Sequence, residues 1–188
     1  MKNTILAVIF LLGIMFTTKA QNLQFGLKGG VNFASLNGDI SDDFKNRTAF
    51  HVGMLVEMKV STNLAIQPEL LYSSKGATDK EYDESLKVNY IYLPVMVKYF
   101  LNDGLSIQGG PQIGVLMSAV SEVDGGNEDF KDDLKKTDLG LNFGLGYNLT
   151  NNLNIGMRYN IGLSNINNVE GLGEVNTSTL QISLGYLF

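Results

Sequence analysis

From residue 22 onward the chain alternates. In 22–34 the odd positions are Leu23, Phe25, Leu27, Gly29, Val31 and Phe33, and the even ones Gln24, Gly26, Lys28, Gly30, Asn32 and Ala34. One face is apolar and the other polar and small, which is the period-two signature of a β-strand. The pattern recurs in 48–60, 63–74, 88–100, 104–118, 137–149, 152–164 and 176–188, so eight strands are predicted. No segment after residue 20 carries a helical period. Three connectors are tight, around Ser61-Thr62-Asn63, Leu101-Asn102-Asp103-Gly104 and Thr150-Asn151-Asn152; four are long, 35–47, 75–87, 119–136 and 165–175. Short and long connectors alternate. An all-β, eight-stranded antiparallel up-and-down barrel follows, with tight turns at one end and long loops at the other.

Alternation alone does not say which face is inside. With the apolar face inward the chain is a soluble, exported, lipocalin-like carrier of a small apolar ligand; with it outward it is a membrane barrel. Three features favour the membrane. Strands of about 12–13 residues, tilted about 40°, stand roughly 30 Å tall, enough for an apolar band of about 25 Å and its interfaces. The polar face is dense in glycine (Gly26, Gly30, Gly53, Gly110, Gly144 and Gly156 among others), as expected where side chains crowd a narrow interior. Aromatic residues gather near strand ends. Phe25, Tyr99, Phe100, Tyr147, Tyr186 and Phe188 lie at the short-turn end, and Phe33, Phe50 and Tyr72 at the other. That is the arrangement of two interfacial girdles.

Residues 1–20 read differently: a basic start at Lys2, an apolar run from Ile5 to Phe16, and a small-residue exit Thr17-Thr18-Lys19-Ala20. This is the form of a secretory signal peptide, too short to span a bilayer, and cleavage is predicted after Ala20. Residues 21–188 then form one barrel domain. Composition fits: the mean hydropathy of +0.04 is what a wall with one apolar and one polar face averages to. The absence of cysteine excludes a lipobox anchor and disulfides, and a single histidine excludes a His/Cys metal cluster. Removing Lys2 and Lys19 takes the formal charge from −5 to −7, a poor starting point for nucleic-acid binding.

Fifteen of the 19 acidic residues fall in the four long loops; the others are Glu57, Glu69, Asp103 and Asp138. Lys28, Lys59, Lys98 and Arg158 all lie on the glycine-rich face, with Glu57, Glu69 and Asp138. These seven residues are predicted to form a lumenal ion-pair network, since buried charges persist only when mutually satisfied. An eight-stranded barrel is just wide enough to be filled by side chains, so a wide pore is not expected.

The candidate chemistry is sparse. His51 points inward near the long-loop end, where Ser35, Ser73 and Asp138 also lie, and a nucleophile, base and acid there would suit an outer-membrane enzyme that modifies lipid A. A lone inward histidine is more often a hydrogen-bonding lumenal residue, and the chain is read as non-enzymatic. The loop Asp124-Gly125-Gly126-Asn127-Glu128-Asp129, with Asp132 and Asp133, offers oxygen ligands for calcium but lacks the spaced acidic order of a calcium loop. It reads as solvated. No metal and no cofactor are expected.

The opening strand, Phe25-Gly26-Leu27-Lys28-Gly29-Gly30-Val31-Asn32-Phe33, resembles that of the porin-like, PorT-like eight-stranded outer-membrane β-barrels of Bacteroidota. Ile66-Gln67-Pro68-Glu69-Leu70-Leu71-Tyr72, Tyr90-Ile91-Tyr92-Leu93-Pro94, Gly109-Gly110-Pro111 and Arg158-Tyr159-Asn160-Ile161-Gly162-Leu163 match it too. Where that family often has an acid before the apolar-Pro pair, this chain has Tyr92. The terminal Tyr186-Leu187-Phe188 resembles the aromatic signal read by the barrel-assembly machinery. The resemblance implies an outer-membrane protein with both termini periplasmic. Its partners would be outer-membrane lipid and lipopolysaccharide, the assembly machinery, and an envelope or extracellular protein met by the loops. It further implies an accessory part in secretion. The expected state is a monomer. All three prolines, Pro68, Pro94 and Pro111, fall inside predicted strands, and bulges are expected there.

Overall fold

A computed structural model describes residues 23–38, 44–79, 85–123, 126–169 and 173–188. The predicted signal peptide and its predicted cleavage point lie outside the described residues, as do Asp124 and Gly125 of the acidic loop. The strands are β1 (Leu23–Gly38), β2 (Phe44–Lys59), β3 (Leu64–Asp79), β4 (Ser85–Phe100), β5 (Leu105–Val123), β6 (Gly126–Asp129), β7 (Thr137–Asn148), β8 (Leu153–Gly162) and β9 (Val175–Leu187). Each wall strand pairs antiparallel with its neighbour in sequence, and β1 pairs with β9 to close the barrel. The short β6 folds back onto the loop end of β5. It adds a flap rather than a wall strand, so the wall has eight.

The alternation sorts as a membrane barrel requires. Phe25 and Leu27 on β1 are 57% and 55% exposed, whereas Lys28 and Asn32 between and beyond them are 8% and 0%. The same holds around the wall, with Phe143, Met157, Ile182 and Leu184 outside and Asn142, Arg158, Gln181 and Ser183 inside. An apolar exterior over a polar interior is the reverse of a soluble carrier, and it overturns the lipocalin-like alternative.

The predicted strands match at the short-turn end, but β1 to β5 run three to five residues further at the other. The cause is physical. Toward the long loops the outward face no longer carries an unbroken apolar row, so the alternation stops, while the ladder continues through pairs such as Leu36↔Thr177 and Ala77↔Leu86, of which Thr177 and Ala77 are buried. The bulges expected at the prolines are absent. Register is unbroken past Pro68, Pro94 and Pro111, and the shifts lie instead at Asn46/His51 and Asn89/Tyr90. Each proline keeps its pairing on one side only: Pro68 with Val95, Pro94 with Gln112 and Pro111 with Leu141. A missing N–H thus interrupts one ladder locally without inserting a residue.

One girdle residue is also corrected. Phe100 is buried at 9% exposure, pointing into the lumen with the even-numbered residues of β4. That inward row (Val88, Tyr90, Tyr92, Pro94, Met96) is itself apolar, so the alternation in β4 is too weak to assign its faces.

Candidate functional site

Below its long-loop mouth the lumen is crossed by interlocking side chains. Nearest the short turns, Lys98 Nζ donates to Glu57 Oε2 at 2.5 Å and to Gln67 Oε1 at 3.2 Å, and it sits 5.3 Å from the centre of the Phe100 ring. Gln67 passes the connection on, its Nε2 donating to Glu69 Oε1 at 2.6 Å. Glu69 is the hub. Arg158 reaches it from β8 with two parallel N–H donors at 2.9 and 2.7 Å, and Lys28 from β1 at 3.4 Å. Arg158 also donates to Gln108 at 3.2 Å. The paired fork on a carboxylate is the strong form of this contact.

The next layer is neutral and is set by strand register. Gly30 pairs with His51 on one side and Ser183 on the other. With no side chain between them, His51 Nε2 meets Ser183 Oγ at 3.0 Å. A Cβ at Gly30 would lie 2.9 Å from His51 Cε1 and 2.8 Å from Ser183 Cα, so only glycine permits the contact. The other ring nitrogen, Nδ1, lies 2.8 Å from Asn32 Oδ1. Asn32 in turn donates to Ser73 Oγ at 2.9 Å and accepts from Gln181 at 3.0 Å. The expected partners of His51 are thus replaced. Ser35 pairs across the seam with Ser178, Ser73 contacts Asn32, and Asp138 belongs to the layer above. His51 is 1% exposed.

In that upper layer Asp138 accepts from the Tyr92 hydroxyl at 2.5 Å and from the Ser164 hydroxyl at 2.9 Å. Lys75 Nζ lies 3.8 Å from the same carboxylate, donates to Asn160 at 3.1 Å, and sits 4.4 Å from the centre of the Tyr92 ring. The residue that departs from the family pattern, Tyr92, therefore supplies a phenol that holds Asp138.

Of the seven residues predicted for the network, Lys28, Glu57, Glu69, Lys98 and Arg158 join in one connected group and Asp138 anchors a second. Lys59 does not join. It lies exposed at the short-turn rim, as the last residue of β2, where the barrel opens to water. Lys75 was assigned to a loop and is instead a core member of the upper group. Its parity with Gln67, Glu69 and Ser73 on β3 marks it, since inward positions recur at every second residue.

At the mouth the filling turns apolar: Leu71, Val88, Tyr90, Tyr92, Leu116 and Ala119 cluster, with Phe130 and Leu134 of the β6–β7 connection packed on top. Among the described residues no group of three or more histidine or acidic side chains converges on a metal position. Tyr186 and Phe188 stand on the outer rim with rings 5.3 Å apart, and the Phe188 N–H donates to the Phe25 carbonyl at 2.8 Å, tying the end of the chain to β1.

Comparison with known proteins agrees with this architecture. A family model described as "Outer membrane protein beta-barrel domain" matches residues 19–168. No curated protein matches the chain. Among solved structures, Neisserial surface protein A is similar at 13% identity and a TM-score of 0.61, over 87% of this chain and 97% of that one. The attachment invasion locus protein Ail of Yersinia pestis, solved with the heparin analogue sucrose octasulfate, is similar at 18% identity and a TM-score of 0.57, over 89% and 100%. At such identities the likeness is one of fold.

Proposed function

The chain belongs to the outer membrane protein β-barrel domain family, and from that premise we propose that it is a sealed, non-enzymatic wall protein that works through its long loops. It is an outer-membrane β-barrel protein. The observation that carries the reading is the connected plug Glu57–Lys98–Gln67–Glu69–Arg158 with Lys28, which crosses the lumen between strands β1, β2, β3, β4 and β8. A barrel filled this way has no aqueous path, so its contribution is to the envelope's structure and to contacts made at the surface. His51 fits a structural role because Asn32 and Ser183 use both its ring nitrogens. Acyl transfer would need an accessible nucleophile and oxyanion donors beside it.

The partners of this reading are outer-membrane lipid and lipopolysaccharide around the wall, the barrel-assembly machinery at Tyr186 and Phe188, and an envelope or extracellular protein at the loops. The protein acts as a monomer. The resemblance to PorT-like barrels supports a finer role as an accessory to secretion.

Planar-bilayer recording of the refolded protein tests the seal: no stable conductance steps are expected, and persistent large channels would refute it. Lipid A mass spectra should be identical with and without the protein. An acyl change lost in His51→Ala would instead establish an enzyme. Secreted-protein profiles of a deletion strain test the accessory role, and unchanged profiles would remove it.

A further inference from the structure

Above the polar plug, the long-loop mouth holds a chamber of about 190 Å³ lined by Leu36, Leu86, Val88, Phe130, Leu134 and Ile166. It is built rather than left over. The wall strands are unequal at this end: β5 climbs to Val123 and β9 begins at Val175, while β8 stops at Gly162 and β7 starts only at Thr137. The notch between them is filled by the segment around Lys131–Asp133 and by residues 163–169. These two are stitched by a Leu134↔Asn167 bridge, by Asn168 N–H to the Asp133 carbonyl at 2.9 Å and by Lys135 N–H to the Ile166 carbonyl at 2.8 Å. Ile166 N–H in turn donates to the Val175 carbonyl at 2.8 Å, and Phe130 N–H to Ala119 at 3.1 Å. Both segments that roof the chamber are therefore fixed by backbone hydrogen bonds to the wall or to each other.

The lining says what it can hold. Among the described residues Asp133 is its only charged one, so an anion is repelled there and a cation finds a single carboxylate. The Asn167 amide is spent inside its own loop, donating to Val169 and Gly173 carbonyls at 3.1 and 3.0 Å and accepting from Val169 N–H at 2.9 Å. Among the described lining residues that leaves the Asp133 carboxylate in an otherwise apolar wall. A cavity of about 150 Å³ with Leu/Ile/Phe walls stays dry and takes up benzene, and this one is slightly larger. Below it, the buried Tyr90 and Tyr92 pack in one cluster with the lining residues Val88, Phe130 and Leu134. Val169, 36% exposed, belongs both to the lining and to the outer surface and marks the way in.

We infer that this chamber is a binding site for a small uncharged hydrocarbon molecule of about the size of benzene or toluene, taken up from the long-loop side of the barrel. It is too small to take a lipid acyl chain. Each additional buried methylene should tighten binding about fourfold until the space is full.

The test is a toluene titration of the methyl-labelled mature protein in lipid nanodiscs, read by methyl chemical shifts. Methyls of Leu36, Leu86, Val88, Leu134 and Ile166 should shift saturably, while outward methyls such as Leu93 and Leu145 drift linearly as toluene partitions into lipid. Val88→Phe, which fills the chamber, should abolish the saturable response while keeping heat-modifiable gel mobility. Should that variant not fold, Leu134→Ala, which enlarges the chamber, should gain a saturable response to naphthalene. Linear drift at the lining methyls overturns the inference, as does saturation that Val88→Phe leaves intact. Broadening of the same methyls by a chain-end nitroxide lipid without toluene would also overturn it, because a lipid tail would then be the occupant.

Discussion

Glu69→Gln removes one charge from the centre of the lumen and changes almost nothing in shape. Gln67 can still donate to the remaining carbonyl oxygen, but the two Arg158 contacts at 2.9 and 2.7 Å and the Lys28 contact at 3.4 Å lose the anion they share. The inward charges among the described residues are Lys28, Lys75, Lys98 and Arg158 against Glu57, Glu69 and Asp138, so the variant leaves two cations facing a neutral amide. Breaking a buried pair from one side costs about 3–5 kcal/mol, most of it the penalty of a buried charge without a partner. With a urea dependence of about 1–3 kcal/mol per molar, the unfolding midpoint should fall by about 1–5 M. The chain has no tryptophan, so unfolding of the refolded barrel in micelles is best followed by gel mobility or circular dichroism. The double variant Glu69→Gln/Arg158→Met should be more stable than the sum of the single changes predicts, by about 1–3 kcal/mol. A loss below about 1 kcal/mol for Glu69→Gln, or strict additivity in the cycle, would refute the claim that these charges hold one another in a dry interior.

Gly30→Val should prevent closure, since its side chain runs into the Ser183 backbone, whereas Gly29→Val next door, whose nearest neighbour is 3.5 Å away, should fold; heat-modifiable mobility separates them, and equal behaviour would contradict the packing. Tyr92→Phe deletes the 2.5 Å bond to Asp138 and should cost about 1.5–3 kcal/mol in the same urea assay; no loss would mean that Ser164 and Lys75 suffice. Phe188→Ala should lower the amount assembled in the outer membrane yet leave the refolded barrel within about 0.5 kcal/mol of the parent, because the side chain is 69% exposed. An equal loss in both measurements would make Phe188 a packing residue only.

The wall was legible because lipid and lumen enforce opposite chemistry on successive residues, so period-two order survives wherever both are present. It failed where one of them was absent. Toward the long loops the ends of β1 to β5 and the whole of β6 carry ladder pairs without alternation, and the upward continuation of β3 through Lys75 was cut at Ser74. In β4 both faces are apolar, which hid the inward turn of Phe100. The charged members of the plug could be named from parity, but their partners could not. That Glu69 meets Arg158, and that His51 meets Ser183 across Gly30, depends on how strands far apart in sequence are registered around a closed ring.

That ring has a consequence for how the protein is made. Glu69 and Arg158 are 89 positions apart, on strands that lie across the lumen from each other rather than side by side in the sheet. Until β8 arrives, the unfinished sheet carries Glu57, Glu69 and Asp138 with Lys28, Lys75 and Lys98 on a face still open on one side, where water is the adequate solvent. A partial sheet therefore cannot slide into hydrocarbon strand by strand at an acceptable cost. Insertion should follow completion: the lumenal charges favour the water interface until the ring closes and Arg158 reaches Glu69.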